Sequence, residues 1–97
     1  MRHFVLLKYE EDDYLTDKVF AELKAAYEEV AATIDGVDDM QVYKNCCFPR
    51  ETNMSVMVSF NVKDEETLKY YLGHPLHRAI AEKNDPHVKM RVTFDHL

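Results

Sequence analysis

The sequence is short of positive charge and has no long apolar run, and each absence excludes a class of partner. Twelve lysines and arginines stand against 18 aspartates and glutamates, which gives a formal net charge of −6. Binding to a nucleic-acid backbone depends on clustered cations, so we expect no nucleic-acid partner. No apolar run approaches the roughly 18 residues of a membrane-spanning helix, so we expect no membrane partner.

Linkers, repeats and a leader-like segment are also missing. No low-complexity stretch divides the 97 residues, which predicts a single domain over residues 1–97. Met1 and Arg2 lead directly into a strand pattern, and we therefore expect a cytoplasmic protein. A chain of this length buries only about two-thirds of its unfolded surface, so a partner subunit would stabilise it.

Cysteine is scarce as well. Cys46 and Cys47 are adjacent, and neighbouring residues rarely reach disulfide geometry. No Cys-x-x-Cys pair and no ligand-spaced set of Cys and His accompanies them. We interpret them as two reduced thiols near a strand end, with redox or metal use as the alternative, and we expect neither a metal nor a cofactor.

The first strand, predicted from Arg2 to Tyr9, is apolar on both faces. One face carries His3, Val5, Leu7 and Tyr9, and the other carries Phe4, Leu6 and Lys8. Strands that are hydrophobic on both sides are usually covered on both sides. A second layer must therefore cover each face of the sheet.

An amphipathic helix and a second strand follow. Thr16 is a predicted N-cap, and Gly36 is predicted to end the helix as a left-handed cap. The next strand is predicted from Val37 to Asn45, with three inward-facing candidates: Met40, Val42 and Tyr43.

Two further strands show period-two alternation. The third is predicted to begin at Met54 and to place on one face Met54, Val56, Val58, Phe60 and Val62. Its other face is small and polar, which indicates water or a cavity. The fourth alternates Val88, Met90, Val92 and Phe94 with Lys89, Arg91, Thr93 and Asp95.

Between these strands, the segment Tyr71 to His77 forms a predicted corner between two helices. Asp64 is expected to cap the first helix, with Gly73 in the position of its C-cap. A residue before proline avoids the helical region, so His74 should be extended, and Pro75 suits the first position of the next helix. This geometry brings three polar rings close together.

The element order is β-α-β-β-α-β, which predicts an α+β, ferredoxin-like fold with a four-stranded antiparallel sheet and helices on one face. Because the open face of strand one is apolar, a second copy is the simplest cover. We therefore predict a homodimer in which two sheets face each other.

The corner residues suit acid–base chemistry. A histidine pKa near 6.5 suits a general base, and a tyrosine can donate to a carbonyl oxygen that gains charge. His77 as base and Tyr71 as acid would suffice for enolisation beside a carbonyl. The alternatives are structural: His74 bonding to nearby backbone, Tyr71 as a core ring, and His3 hydrogen-bonded to strand four.

Three segments together resemble the stress-responsive dimeric α/β-barrel (Dabb) family: Arg2 to Tyr9, the motif Tyr71-x-x-His74-Pro75-x-His77, and Arg91 to Asp95. The resemblance extends over essentially the whole chain and implies a dimeric α+β barrel. Most members have no assigned reaction. A plant member, olivetolic acid cyclase, is a polyketide cyclase that works without a cofactor.

The resemblance also implies roles for individual residues. The acid–base pair of the plant cyclase matches Tyr71 and His77, and its strand-one histidine and the histidine before proline match His3 and His74. We predict a ligand pocket lined by His3, Val5, Leu23, Tyr27, Met54, His74 and Ile80. The chain departs from the cyclase at Met54, where a further pocket histidine is expected, and at Thr52-Asn53, where a Gly-Tyr pair is usual.

Two functions from different classes follow. The preferred one is a homodimeric barrel whose cavity accepts a small apolar or aromatic molecule, and the family name implies a role in the stress response. The alternative is a cofactor-free enzyme of the cyclase, isomerase or monooxygenase kind that uses His77 and Tyr71. The sequence leaves open whether the protein is an enzyme.

Overall fold

The computed structural model describes residues 1–46 and 50–97. Within these residues, four strands and three helices follow the predicted order: β1 (Arg2–Tyr9), α1 (Asp17–Thr33), β2 (Val37–Lys44), β3 (Val56–Val62), α2 (Glu65–Gly73), α3 (Pro75–Asn84) and β4 (Val88–His96). Two 3-10 turns cover Asp12–Tyr14 and Asp85–His87. The second helical segment is thus divided in two at the corner.

The sheet is antiparallel throughout, with strand order β2-β3-β1-β4. Alternate residues of β1 and β3 are buried together with one side of α1, and the core includes Leu7, Phe60, Leu23, Tyr27 and Val30. The predicted ferredoxin-like fold is confirmed. Because β1 pairs with β4, the first and last strands lie side by side, and both contribute residues to the candidate functional site.

Helix α1 begins as predicted and ends earlier than predicted. The Thr16 hydroxyl accepts a hydrogen bond from the Val19 N–H at 3.2 Å. The helix ends at Thr33, whereas Gly36, with φ of +91°, turns the chain into β2. A side chain at Gly36 would also lie 3.1 Å from the Thr67 methyl carbon, so both conformation and space favour glycine there.

Strands β2 and β3 correct two predictions. Tyr43 is 53% exposed and does not face the core, whereas its neighbour Val42 is buried. Consecutive strand residues point to opposite faces, so the two could not both face inward. Strand β3 begins at Val56, and Met54 lies in the preceding loop.

The corner also differs from prediction in one residue. Asp64 caps α2 as expected, accepting from the Thr67 N–H at 2.8 Å. Gly73 is the last residue of α2 and is not left-handed. His74 is extended, with φ of −73° and ψ of 143°, and both ends α2 and begins α3. The restriction that Pro75 places on His74 therefore ends the helix without a glycine cap.

The sheet face away from the helices is apolar, as strand one predicts. Phe4 lies opposite Phe94, and Leu6 lies opposite Val92. Phe94 is 63% exposed in the single chain, and Met90 and Val92 are also exposed. Contiguous apolar surface of this kind commonly marks a protein interface.

Two remaining predictions concern the cysteines and the membrane. Cys46 is exposed shortly after β2 ends, and Cys47 lies outside the described residues. None of the helices in residues 1–46 and 50–97 has both the length and the apolar character to cross a membrane.

Candidate functional site

A cavity of about 200 Å³ lies between the sheet and the helices, where β1 and β4 face α1, α2 and α3. Its apolar walls include Val5, Leu7, Leu68 and Ile80. Its polar groups include those of His3 on β1, Tyr71 on α2, His77 on α3, and Arg91 and Asp95 on β4. Apolar walls with a few convergent polar groups are typical of the sites at which proteins bind small molecules.

His77 has a defined tautomer. On the first turn of α3, its Nδ1 lies 2.9 Å from the Leu72 carbonyl oxygen. A carbonyl oxygen can only accept a hydrogen bond, so the Nδ1–H of His77 donates this one. Nε2 of the neutral ring therefore carries the lone pair and can accept a hydrogen bond or a proton. Burial lowers the pKa of His77; the Leu72 bond opposes this effect, and Arg91 adds to it. His77 is therefore mainly neutral near pH 7, as a general base must be.

Tyr71 lies beside His77 and is 1% exposed. The two ring centroids are 4.6 Å apart, with the planes inclined at 59°. Among the described residues, the buried Tyr71 hydroxyl forms no hydrogen bond of normal geometry. Burial raises the pKa of Tyr71 strongly, and the Tyr27 hydroxyl raises it further. Tyr71 therefore remains protonated and can act as a hydrogen-bond donor.

His3 is held by the last strand. Its Nδ1 lies 2.5 Å from Asp95 Oδ1, and the residue is only 4% exposed. Its ring contacts Phe60 and Tyr71, at centroid distances of 5.1 and 6.1 Å. The alternative in which His3 bonds to strand four is therefore correct, and Asp95 is its partner.

The structure places six of the predicted site residues in the cavity wall and three outside it. His3, Val5, Tyr27, Tyr71, His77 and Ile80 all line the cavity. Leu23 instead faces a separate groove between α1 and α3, and Met54 lines a small pocket beside Lys8. Met54 is displaced because β3 starts two residues later than predicted.

His74 is the third residue outside the cavity. Its Nδ1 accepts a hydrogen bond from the Leu76 N–H at 3.1 Å, so it caps α3. Its ring packs against Tyr70 on the preceding helix, at a centroid distance of 5.5 Å. The structural alternative for His74 is thus the correct one.

Sequence reasoning missed the contribution of β4. Arg91, Thr93 and Asp95 all line the cavity, opposite Leu7, Val5 and His3 of β1. Their two-residue spacing was visible in the sequence and indicated a shared face. Their position over the cavity depended on the register between the first and last strands, which no local pattern shows. Within residues 1–46 and 50–97, no cluster of three or more His, Cys, Asp or Glu side chains suits a metal ion.

Solved structures show the same fold over nearly the whole chain. A dimeric ferredoxin-like protein of unknown function from Thermobifida fusca is 22% identical, with a TM-score of 0.77 over 96% of this chain and 85% of that one. A Dabb family protein from Mesorhizobium loti is 16% identical, with a TM-score of 0.73 over 99% and 93%. The hydroxynitrile lyase from Passiflora edulis is 13% identical, with a TM-score of 0.77 over 98% and 89%.

At these identities the likeness establishes the fold and not the activity. A search of curated protein sequences finds no significant match. The model of the Stress responsive A/B Barrel Domain family, in contrast, matches residues 1–96. This match confirms the resemblance carried by β1, the corner and β4: the chain belongs to the stress responsive A/B barrel (Dabb) family.

Proposed function

We propose that the protein is a homodimer in which each protomer binds a small molecule with an apolar or aromatic body in the cavity between sheet and helices. The observation that carries this proposal is the cavity itself. Apolar side chains from β1, α2 and α3 form its walls, and the rings of Tyr71 and His77 meet inside it. A ligand with one polar end would satisfy both features.

The exposed sheet face supports the dimer. Six apolar side chains from three strands share this face: Phe4, Leu6, Met57, Met90, Val92 and Phe94. Solved structures of the same fold from Thermobifida fusca and Bacteroides fragilis are described as dimeric. Pairing two such faces would remove this surface from water.

A stress-related role and a cytoplasmic location stay predictions, as does the absence of a cofactor or a nucleic-acid partner.

Filling the cavity tests the binding proposal. Acetophenone, an aromatic ketone small enough for the site, is a suitable probe, and calorimetry or NMR titration can measure its affinity. Ala81→Phe places a ring in the cavity and should abolish binding, whereas Ala79→Phe alters an exposed residue of the same helix outside the cavity. Absence of binding to the wild type, or equal binding by both variants, would show that this cavity is not the site.

A second candidate function is cofactor-free acid–base catalysis, and the tautomer of His77 favours it specifically. With Nδ1–H bound to Leu72, Nε2 can accept a proton from a carbon next to a carbonyl group. Tyr71 would donate to the carbonyl oxygen as negative charge develops there. The product of this step is an enolate with its oxygen hydrogen-bonded to Tyr71.

Hydrogen–deuterium exchange at the acetophenone methyl group tests the second candidate. Wild-type protein in deuterated water should accelerate the exchange, and His77→Ala and Tyr71→Phe should both abolish the acceleration. His96→Ala, at the end of β4 and outside the cavity, is the control. Full exchange activity in the first two variants would exclude the acid–base assignment. Binding without any exchange would leave the binding function alone standing.

A further inference from the structure

Arg91 is the one arginine or lysine among the residues that line the cavity in the described structure. It lies opposite Leu7, while Thr93 lies opposite Val5 and Asp95 lies opposite His3. Residues two apart on a strand are about 6.5 to 7 Å apart, so Arg91 and Asp95 are separated by about 13 Å along β4. The charged side chains of Arg91 and Asp95 therefore lie at opposite ends of the β4 wall of the cavity, with Thr93 and the apolar Val5 between them.

The carboxylates near this cavity already have partners. Asp95 binds His3, and Asp85, from the turn after α3, binds Arg91 Nη2. That is the only hydrogen bond that the guanidinium makes with residues 1–46 and 50–97, although it carries five N–H donors. The Arg91 side chain is 42% exposed, so a ligand entering the cavity can reach its remaining donors.

The positive charge of Arg91 also acts on the side chains of His77 and Tyr71. It contributes to the lowered pKa of His77 and opposes the raised pKa of Tyr71. A planar guanidinium matches a carboxylate with two parallel hydrogen bonds, which a point charge cannot do. The chain carries a net charge of −6, which repels anions in general. Arg91 gives the cavity a local positive charge that can attract an anion.

We propose that Arg91 binds a carboxylate of the ligand, which makes the ligand class small aromatic acids and keto acids rather than neutral apolar molecules. This inference rests on the proposed binding function of the cavity. Arg91 would hold the acidic end at its partly exposed guanidinium, and the apolar body would lie along Val5 and Leu7 toward His77. Asp85 would compete with the ligand for the guanidinium.

Affinities of acetophenone and of its three acetylbenzoate isomers, measured by calorimetry at low salt, test the inference. At least one acetylbenzoate should bind wild-type protein about tenfold more tightly than acetophenone or than its own methyl ester. Arg91→Gln should remove this preference, so that the acid, its methyl ester and acetophenone bind with similar affinities, and Arg91→Lys should restore the preference in part. Asp85→Asn should increase the preference, because it removes the competing carboxylate.

Lys89→Gln is the matched control, since it removes the same charge from β4 at a residue that does not line the cavity. It should keep the wild-type preference. Acetophenone binding with no preference for any acid, or a preference that survives Arg91→Gln, would overturn the role of Arg91 and leave the cavity proposal intact. Failure of every probe to bind would overturn both proposals.

Discussion

His3 and Asp95 are 92 positions apart in the chain, yet His3 Nδ1 lies 2.5 Å from Asp95 Oδ1. The antiparallel pairing of β1 with β4 places the two residues directly opposite each other. Because a carboxylate accepts, Nδ1–H of His3 donates and the orientation of the ring is fixed. The first and last strands are thereby joined at the cavity wall, beside Tyr71.

Removing the Asp95 carboxylate should destabilise the fold. In Asp95→Ala, the buried Nδ1–H of His3 loses its acceptor, which costs about 1–3 kcal/mol when no substitute is found. Urea unfolding should show a loss toward the lower end of that range, since Asp95 is partly exposed and water can replace it. Asp95→Asn keeps an acceptor oxygen and should lose less. Equal stability of wild type and Asp95→Ala would contradict this account.

The exposed face of β4 should control assembly. Phe94→Glu puts a charge on the proposed dimer face, where it would be buried without a partner. Light scattering at micromolar concentration should give the mass of one 11.4 kDa chain for this variant and twice that mass for the wild type. Thr93→Glu adds the same charge on the opposite face of the strand and should remain dimeric. A wild-type mass of one chain would refute the dimer.

His77 should make stability depend on pH. Burial lowers its pKa in the folded protein below the ordinary value near 6.5, so the unfolded chain binds the proton first as pH falls. The stabilisation that depends on neutral His77 is fully present above about pH 6.5. It is lost as the pH falls toward the pKa that His77 has in the folded protein.

Urea unfolding between about pH 7 and pH 5 measures this effect. The free energy of unfolding should decrease less steeply in His77→Gln than in the wild type. His87→Gln, which removes an exposed imidazole from the turn before β4, controls for the loss of one histidine. A wild-type slope in His77→Gln would show that His77 is not desolvated as the structure indicates.

His74 should matter for stability and not for binding. Loss of the N-cap hydrogen bond to Leu76 in His74→Ala should cost about 0.5–2 kcal/mol, as for other helix caps. His74→Asn keeps a capping acceptor and should recover most of that loss. Acetophenone affinity should be unchanged in both variants. Weaker acetophenone binding in His74→Ala, with unchanged stability, would contradict this and show that His74 contributes to the pocket.

The features predicted correctly are those that depend on near neighbours in sequence. The Thr16 cap needs only the first turn of its helix, and the extended conformation of His74 follows from Pro75 alone. The proximity of Tyr71 to His77 was predictable for the same reason, since both lie within one corner. A run of residues that is apolar on both faces was enough to predict β1 and the second apolar face of the sheet.

Several of the features that were predicted wrongly or missed depend on contacts distant in sequence. In β2, the pairing with β3 shifts register between Asp38 and Gln41, and Asp39 takes φ of +50°, which no alternation pattern shows. The start of β3 depends on where it meets β2, and this displaced Met54 from the predicted pocket. The cavity positions of Asp95 and Arg91 require the register of β4 on β1, which is fixed only in the assembled sheet.

The central claim is that a small molecule binds against His77 inside the cavity. Two-dimensional NMR of the histidine ring nitrogens, recorded during titration with acetophenone, tests it most directly. We predict that free His77 shows Nδ1 protonated and Nε2 unprotonated, and that its Nε2 signal moves with the ligand while the ring signals of His87 and His96 remain in place. A saturating shift at His87 or His96 with His77 unmoved would contradict the account.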